Sequence, residues 1–402
     1  MSKVYIVEAK RSALGKFLGT LSTLSPAELA GQVIKAVIEE TKIDPKKIDE
    51  VVLGNVLSAG HGQNLGRQAA IAGGIPAEVP AYAINILCGS GMKSVMTAYS
   101  QIKSGMANLV IAGGVEVMSQ AAFTVDGKTR QGNKMGSIQL KDTLLSDGLT
   151  DVFNNYHMGM TAENIVEKYS LSRQDQDKLA IRSQEKAIAA VDSNRFKDEI
   201  VPIKVKTRKE TIEFSKDEYP NRNTSLEKLS TLRPAFKADG SVTAGNASGI
   251  NDGAAILLIA SEKAIKEYNL TPMAEIVSVG QGGVDPSVMG LGPVPAINNA
   301  IEDSGLELKN MELLELNEAF AAQALGVITE LKEKHNVDDA WFEERMNVNG
   351  GAIALGHPLG ASGGRIITTL VHEMKKRDLN YGLASLCIGG GMGTAIVIKL
   401  AK

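Results

Sequence analysis

Val37–Val56 reads VIEETKIDPKKIDEVVLGNV, and Ala300–Ala319 reads AIEDSGLELKNMELLELNEA. With Val37 set on Ala300 and no gap, Ile38 meets Ile301, Glu39 meets Glu302, Lys46 meets Lys309 and Leu53 meets Leu316. Acidic and apolar positions keep step through the whole window, which marks a duplicated unit. The match continues downstream. Met92, Val95, Met96, Tyr99 and Ile102 form an apolar stripe closed by Lys103 and Gly105. Ile366, Ile367, Leu370, Val371 and Met374 form a second stripe, closed by Lys375, Lys376 and Arg377. Both have helical spacing and basic last turns suited to the helix dipole. Each is followed by a strand pattern ending in glycine, LVIAGG and LASLCIGGG.

Working outward, apolar runs at Val4–Val7, Val51–Leu53 and Leu109–Ala112 predict strands, and Pro26–Glu39 and Met92–Lys103 predict helices. Such alternation predicts an α/β fold with a largely parallel core sheet. The two halves run from 1 to 120 and from 271 to 402. Residues 121–245 between them are more polar, with VKTRKE and SKDEYPNRN, and hold one clear helical pattern, Arg173–Val191. They read as an inserted subdomain. Gly253–Ala260, GAAILLIA, reads as a buried strand returning to the first half, which therefore also takes in 246–270.

Composition narrows the class of function. Hydrophobic residues at 44% and charged residues at 22% fit a soluble globular chain. A formal net charge of −3 gives no pull toward nucleic acid or acidic membranes. No apolar run is as long as a membrane span, and MSKVYIVEAKR reads as a first strand rather than a signal peptide. Two cysteines far apart make no disulfide framework and fit a reducing cytoplasm. There is no CxxC and no HExxH, and the five histidines are scattered, so no metal site is indicated.

Both cysteines stand beside glycine. In NILCGSG, Cys88 comes just before the helix expected near Gly91. A thiol there meets unpaired N–H groups and the positive end of the dipole, which predicts a lowered pKa. Gly89 and Gly91 remove bulk that would otherwise bar a large substrate. NGGAIALGHPLGASGG places His357 just before the second helix of the repeat, the counterpart of Cys88. Halves related by a pseudo-twofold would bring the two helix starts together, with the histidine as base for the thiol. CIGGGMG puts Cys387 at a strand end, where the glycine run offers N–H donors for an oxyanion. In ELNEAFAAQ, Asn317 and Glu318 follow an acidic–apolar strand; Asn317 either holds a water or substrate oxygen or caps a helix.

These stretches, with IAGGVEVMS, YHMGMTAEN, LRPAF and VTAGNASGINDGAA, resemble the thiolases over essentially the whole chain, and among them the biosynthetic acetyl-CoA acetyltransferases. The resemblance implies duplicated αβαβα layered halves with a loop domain that binds coenzyme A. It implies condensation of two acetyl-CoA to acetoacetyl-CoA and CoA, and the reverse thiolysis, without metal or redox cofactor. Cys88 would be the acylated nucleophile and His357 its base. Cys387 would move the α-proton, and Asn317 would hold a water in one oxyanion hole. The N–H groups of Cys88 and Gly389 would form the other. His157 and Met158 resemble acyl-pocket residues and Ser248 a pantetheine contact, while Phe236 and Phe320 would line the pantetheine tunnel. Where the family often has an arginine near the adenine, this chain reads YPNRNTS, and Arg222 is the nearest substitute. The resemblance also implies a homodimer or homotetramer that binds neither nucleic acid nor membrane. A degradative thiolase acting on longer 3-ketoacyl-CoA is the alternative; ketoacyl synthases fit less well, because they lack the second cysteine.

Overall fold

The computed structural model describes residues 3–402. Nine strands make the main path of its sheet: β1 (Val4–Ser12), β2 (Glu50–Gly54), β3 (Ala81–Ile84), β4 (Leu109–Val117), β5 (Asn251–Ser261), β6 (Ala274–Gly283), β7 (Leu313–Leu316), β8 (Tyr381–Ile388) and β9 (Met392–Leu400). The main helices are α1 (Pro26–Thr41), α2 (Leu65–Ala72), α3 (Ser90–Lys103), α4 (Met158–Tyr169), α5 (Arg173–Asp192), α6 (Pro293–Ser304), α7 (Ala321–His335) and α8 (Leu359–Arg377).

The repeat read in the sequence is a repeat of structure. Helix α1, a 3-10 turn at Pro45–Lys47 and β2 correspond to α6, a 3-10 turn at Leu308–Asn310 and β7. Local chemistry sets the boundaries. Ser25 and Glu28 close a capping box at the start of α1, Pro26 takes its first position, and Lys42 ends it in the left-handed region. Its buried face, Leu29, Val33, Ile34 and Val37, gains about 1.5–3 kcal/mol for each large side chain removed from water.

Strand order is β7–β8–β9–β6–β1–β5–β4–β2–β3. The halves join where β1 pairs with β6 through Tyr5↔Glu275 and Ile6↔Ala274. Alternation along β4 shows how the layers stack. Leu109, Ile111, Val115 and Val117 pack with α1 and α2 on one face. Val110 and Ala112 pack with Met92 and Val95 of α3 and Ile366 and Leu370 of α8 on the other. That inner cluster also holds Leu313, Leu386 and Ile396 of the second half. Val294 and Ile297 of α6 and Val327 of α7 cover the far face with Leu383 and Val397. The result is the αβαβα layering, with α3 and α8 as the central layer.

The expected largely parallel sheet is corrected. β2–β3, β2–β4 and β7–β8 are parallel. β1–β5, β4–β5, β1–β6, β6–β9 and β8–β9 are antiparallel. Helices on both faces bury β4 and β5 along their whole length, and such a pattern is the same in either direction.

Between β4 and β5 the chain forms α4, α5 and several short strands. It is tied to β1 through buried charge: Arg11 lies 2.6 Å from Glu199 and 2.7 Å from Asp217, all three side chains nearly fully buried. Losing one partner of such a cluster typically costs 3–5 kcal/mol, because a charge is left alone.

Candidate active site

The two central helices start next to each other. Cys88 stands two residues ahead of α3, and His357 two residues ahead of α8. Between the helix starts the contact is backbone on backbone. A Cβ at Gly91 would meet the carbonyl of Gly360, and one at Gly363 would collide with Met92. At Gly89 it would collide with Ile388. These glycines therefore serve packing rather than the substrate access expected of Gly89 and Gly91.

The turn carrying Cys88 is held in place. Leu87 lies in the left-handed region, φ 54°, where a branched residue is strained. Ser90 Oγ donates to Leu87 O at 2.6 Å and accepts from Ile86 N at 2.9 Å, while Asn85 Oδ1 accepts from Leu87 N at 2.9 Å. Cys88 is half-buried against Val56, Leu57, Met118 and Leu359. Its sulfur faces the N–H of Gly389 and its own N–H. The expected low pKa is corrected: burial pushes the thiol up to about 11, and the two N–H groups offset only part of that. Cys88 therefore rests as a thiol.

His357 is buried in the facing loop. Its N–H donates to Asn251 Oδ1 at 2.9 Å, and Asn251 Nδ2 in turn donates to Gly15 O at 3.0 Å. Gly356 just before it has φ 110°, and a Cβ there would collide with Asn251. Nδ1 lies 2.6 Å from Ser362 Oγ and 3.5 Å from Asn317 Nδ2. Nε2 is buried without a partner. Burial, and then the charge of Arg365, lower the imidazole to about 4. The ring is therefore neutral near pH 7.

Asn317 follows β7 and caps nothing: α7 starts after Phe320. The Asn317 N–H donates to Ser385 O at 3.0 Å, and its Oδ1 is buried without a partner. Glu318 beside it accepts from Ser183 Oγ at 2.6 Å and Asn347 Nδ2 at 2.7 Å. Cys387 is fully buried among Met158, Met289, Ala319 and Phe320. Burial raises its thiol pKa above the ordinary value, and proximity to Cys88 raises it further. After β8 the chain turns at Gly390 and Gly391, φ 82° and 85°, which leaves Gly389 facing Cys88.

A cleft of about 450 Å³ opens onto Cys88, His357 and Gly389. His157, Met158, Phe236, Ser248 and Phe320 also line it. His157 stacks on Phe236 at 4.6 Å, and Phe236 meets Phe320 edge-on at 6.1 Å. The cleft is thus a slot with apolar and aromatic walls, a thiol, a neutral imidazole and two N–H donors.

Family models agree with this geometry. The thiolase N-terminal domain matches residues 4–263 and the thiolase C-terminal domain residues 270–400. The chain belongs to the thiolase family. The acetyl-CoA acetyltransferase of Escherichia coli strain K12 is 51% identical over 399 residues, 99% of each chain. The crystal structure of the Bacillus anthracis acetyl-CoA acetyltransferase superposes with a TM-score of 0.95 at 43% identity, over 100% of this chain and 99% of that one. Human mitochondrial 3-ketoacyl-CoA thiolase in complex with CoA superposes at 0.92 and 45% identity, over 100% and 98%.

One residue of this thiolase stands apart from the site. Arg222 is exposed and paired with Asp192 at 2.6 Å, off the cleft wall. Its partner Asp192 is the last residue of α5. Sequence reasoning also passed over part of the wall. Met118, Leu149 and Leu359 surround Cys88, and Tyr219 and Lys16 line both this cleft and an adjoining one of about 500 Å³ that also holds Asn221, Asn223 and Lys228. Among the described residues no helix is long and apolar enough to cross a membrane.

Proposed function

We propose that this thiolase is an acetyl-CoA C-acetyltransferase, condensing two acetyl-CoA to acetoacetyl-CoA and CoA and running the reverse thiolysis. One observation carries the reading: a half-buried thiol facing two N–H donors shares a cleft with a neutral imidazole whose Nε2 has no partner.

In the first half-reaction Nε2 of His357 takes the Cys88 proton as sulfur attacks the thioester carbon. The N–H groups of Cys88 and Gly389 hold the developing oxyanion; removing one such donor typically costs 100- to 1000-fold, roughly. CoA leaves as a thiolate and takes the proton of Cys387. The Cys387 thiolate is then balanced by the imidazolium of His357. In the second half-reaction that thiolate removes the α-proton of a second acetyl-CoA. The enolate oxygen is held by the Nε2–H of His357 and by a water on Asn317. The enolate carbon attacks the acetyl group on Cys88, the Cys88 sulfur leaves, and the imidazolium returns its proton. Every group ends as it began, and no redox partner is needed.

The substrate's arm would lie between Phe236 and Phe320, with Ser248 beside it and His157 and Met158 narrowing the acyl end. Lys16 and Lys228, rather than Arg222, are the cations the adjoining cleft offers to its phosphates. The enzyme would act in the cytoplasm as a homodimer or homotetramer, and the inserted 121–245 segment would carry most coenzyme A contacts. Thiolysis rate against 3-ketoacyl chain length tests the reading. A maximum at four carbons supports it, and a maximum at long chains replaces it with the degradative alternative.

A further inference from the structure

Ser362 touches no part of the cleft, yet it is the nearest polar partner of the imidazole. Its Oγ lies 2.6 Å from Nδ1 of His357 and 2.8 Å from the carbonyl of Pro358. A hydroxyl has one proton. Pro358 O can only accept, so that proton goes to it, and Oγ is left to accept from Nδ1–H. A ring with its proton on Nδ1 has a lone pair on Nε2, the nitrogen buried without a partner. The competing arrangement is also present. Asn317 Nδ2, a donor at 3.5 Å from Nδ1, would call for a lone pair there and place the proton on Nε2. The length of the Oγ–Nδ1 contact suits either tautomer; the Oγ–H bond to Pro358 O selects the one with the ring proton on Nδ1.

We infer that Ser362 is a positioning residue that holds the proton of neutral His357 on Nδ1, so that Nε2 can accept the proton of Cys88. The place in the fold suits this. Ser362 sits in the first turn of α8, 1% exposed, and its bond to Pro358 O is a back-bond within that turn. Its hydroxyl therefore cannot swing away without losing both partners. One turn further on, Arg365 is tied to Glu315 at 3.0 Å, which fixes the positive charge that adds to burial in keeping the ring neutral. A hydroxyl differs here from a carboxylate. It orients the ring without adding a negative charge, so the imidazolium formed in catalysis gives its proton back readily.

The inference rests on the proposed role of His357 as base, and the test separates the two. Acylation is followed by rapid quench and mass spectrometry with acetyl-CoA. Ser362→Ala leaves Asn317 as the remaining partner of Nδ1 and favours the wrong tautomer. It is expected to slow acylation by about 10- to 100-fold, less than the ~100- to 10,000-fold typical of a lost general base, with KM for acetyl-CoA little changed. Ser362→Thr, which keeps the hydroxyl, restores the rate. Independently, nitrogen-15 spectra of histidine-labelled wild-type enzyme should show the unprotonated Nε2 signature for the His357 ring. Wild-type acylation and pH profile in Ser362→Ala, or a protonated Nε2 in the resting wild-type enzyme, overturns the inference. Undiminished acylation in His357→Asn would instead overturn the base assignment itself.

Discussion

The carboxylate of Glu116 accepts the backbone N–H of Gly360 at 2.8 Å. Glu116 lies in β4 of the first half, and Gly360 in the first turn of α8 in the second. The same carboxylate accepts from Val56 N, Leu57 N and Asn55 Nδ2 at 2.9–3.0 Å. It thus joins the wall behind Cys88 to the helix that carries Ser362 and follows His357. Burial raises this carboxyl to about 7, against the pull of the surrounding N–H donors.

Glu116→Gln keeps the shape but turns an amide NH₂ toward two of those donors. Leaving buried donors unpaired costs about 1–3 kcal/mol each, more where the lost partner was charged. Glu116→Gln should lower the denaturation midpoint and also slow acylation, because the two helix starts are no longer held in register. Chemical denaturation and the acylation burst measure both. A variant as stable and as fast as wild type contradicts the proposed link.

The pH dependence of the nucleophile follows from two opposite shifts. Burial lifts the Cys88 thiol to about 11 and lowers His357 to about 4. A lowered base stays neutral at lower pH, so acylation by wild-type enzyme should have no acid limb near 6.5 and stay flat down to about pH 5. Without the base, reaction depends on the thiolate fraction. In His357→Asn, alkylation of Cys88 by iodoacetamide should rise about tenfold per pH unit between pH 8 and 10. A plateau near pH 8 would mean that the thiol is not raised.

Met158 is buried next to Gly389, and its methyl group lies 3.0 Å from where a Cβ on that glycine would sit. Met158→Ala should open the acyl end. Thiolysis of six-carbon relative to four-carbon substrate is expected to rise about tenfold, the scale of one or two methylenes in a pocket. An unchanged ratio would move the length limit to Met118, Leu149 or Leu359.

Arg222 and the lysines make a contrast. An exposed pair such as Arg222–Asp192 is screened by solvent and adds little, so Arg222→Ala should leave both stability and KM essentially unchanged. Lys16→Ala and Lys228→Ala should each raise KM for acetyl-CoA by roughly 5-fold, about 1 kcal/mol, with the effect fading at high salt. The reverse pattern would return the phosphate end to Arg222.

The fold was legible where two stretches had to meet the same packing demand. α1–β2 and α6–β7 each place apolar residues toward a sheet and acidic residues outward, so their sequences run in step. Strand direction was not legible, because β4 and β5 are apolar on both faces whichever way their neighbours run. Within the site, Cys88 and His357 could be read because each stands beside glycines where a helix begins. The direction of the Cys88 shift could not, since the helix start and burial act oppositely and only packing shows that burial is larger. The pairing of Arg222 with Asp192 was not legible either, because the two are thirty positions apart. Ser362 lies within the GHPLGAS run, but nothing in the run says which ring nitrogen it meets.

Cys88 and Cys387 are assigned different steps, acylation by the first acetyl-CoA and proton removal from the second. The most direct test is intact-protein mass spectrometry after mixing with acetyl-CoA, alongside a condensation assay, for Cys88→Ala and Cys387→Ala. Cys88→Ala should carry no acetyl adduct, and Cys387→Ala a stable adduct that accumulates without forming acetoacetyl-CoA. An acetyl adduct on Cys88→Ala, or normal acetoacetyl-CoA formation by Cys387→Ala, would contradict it.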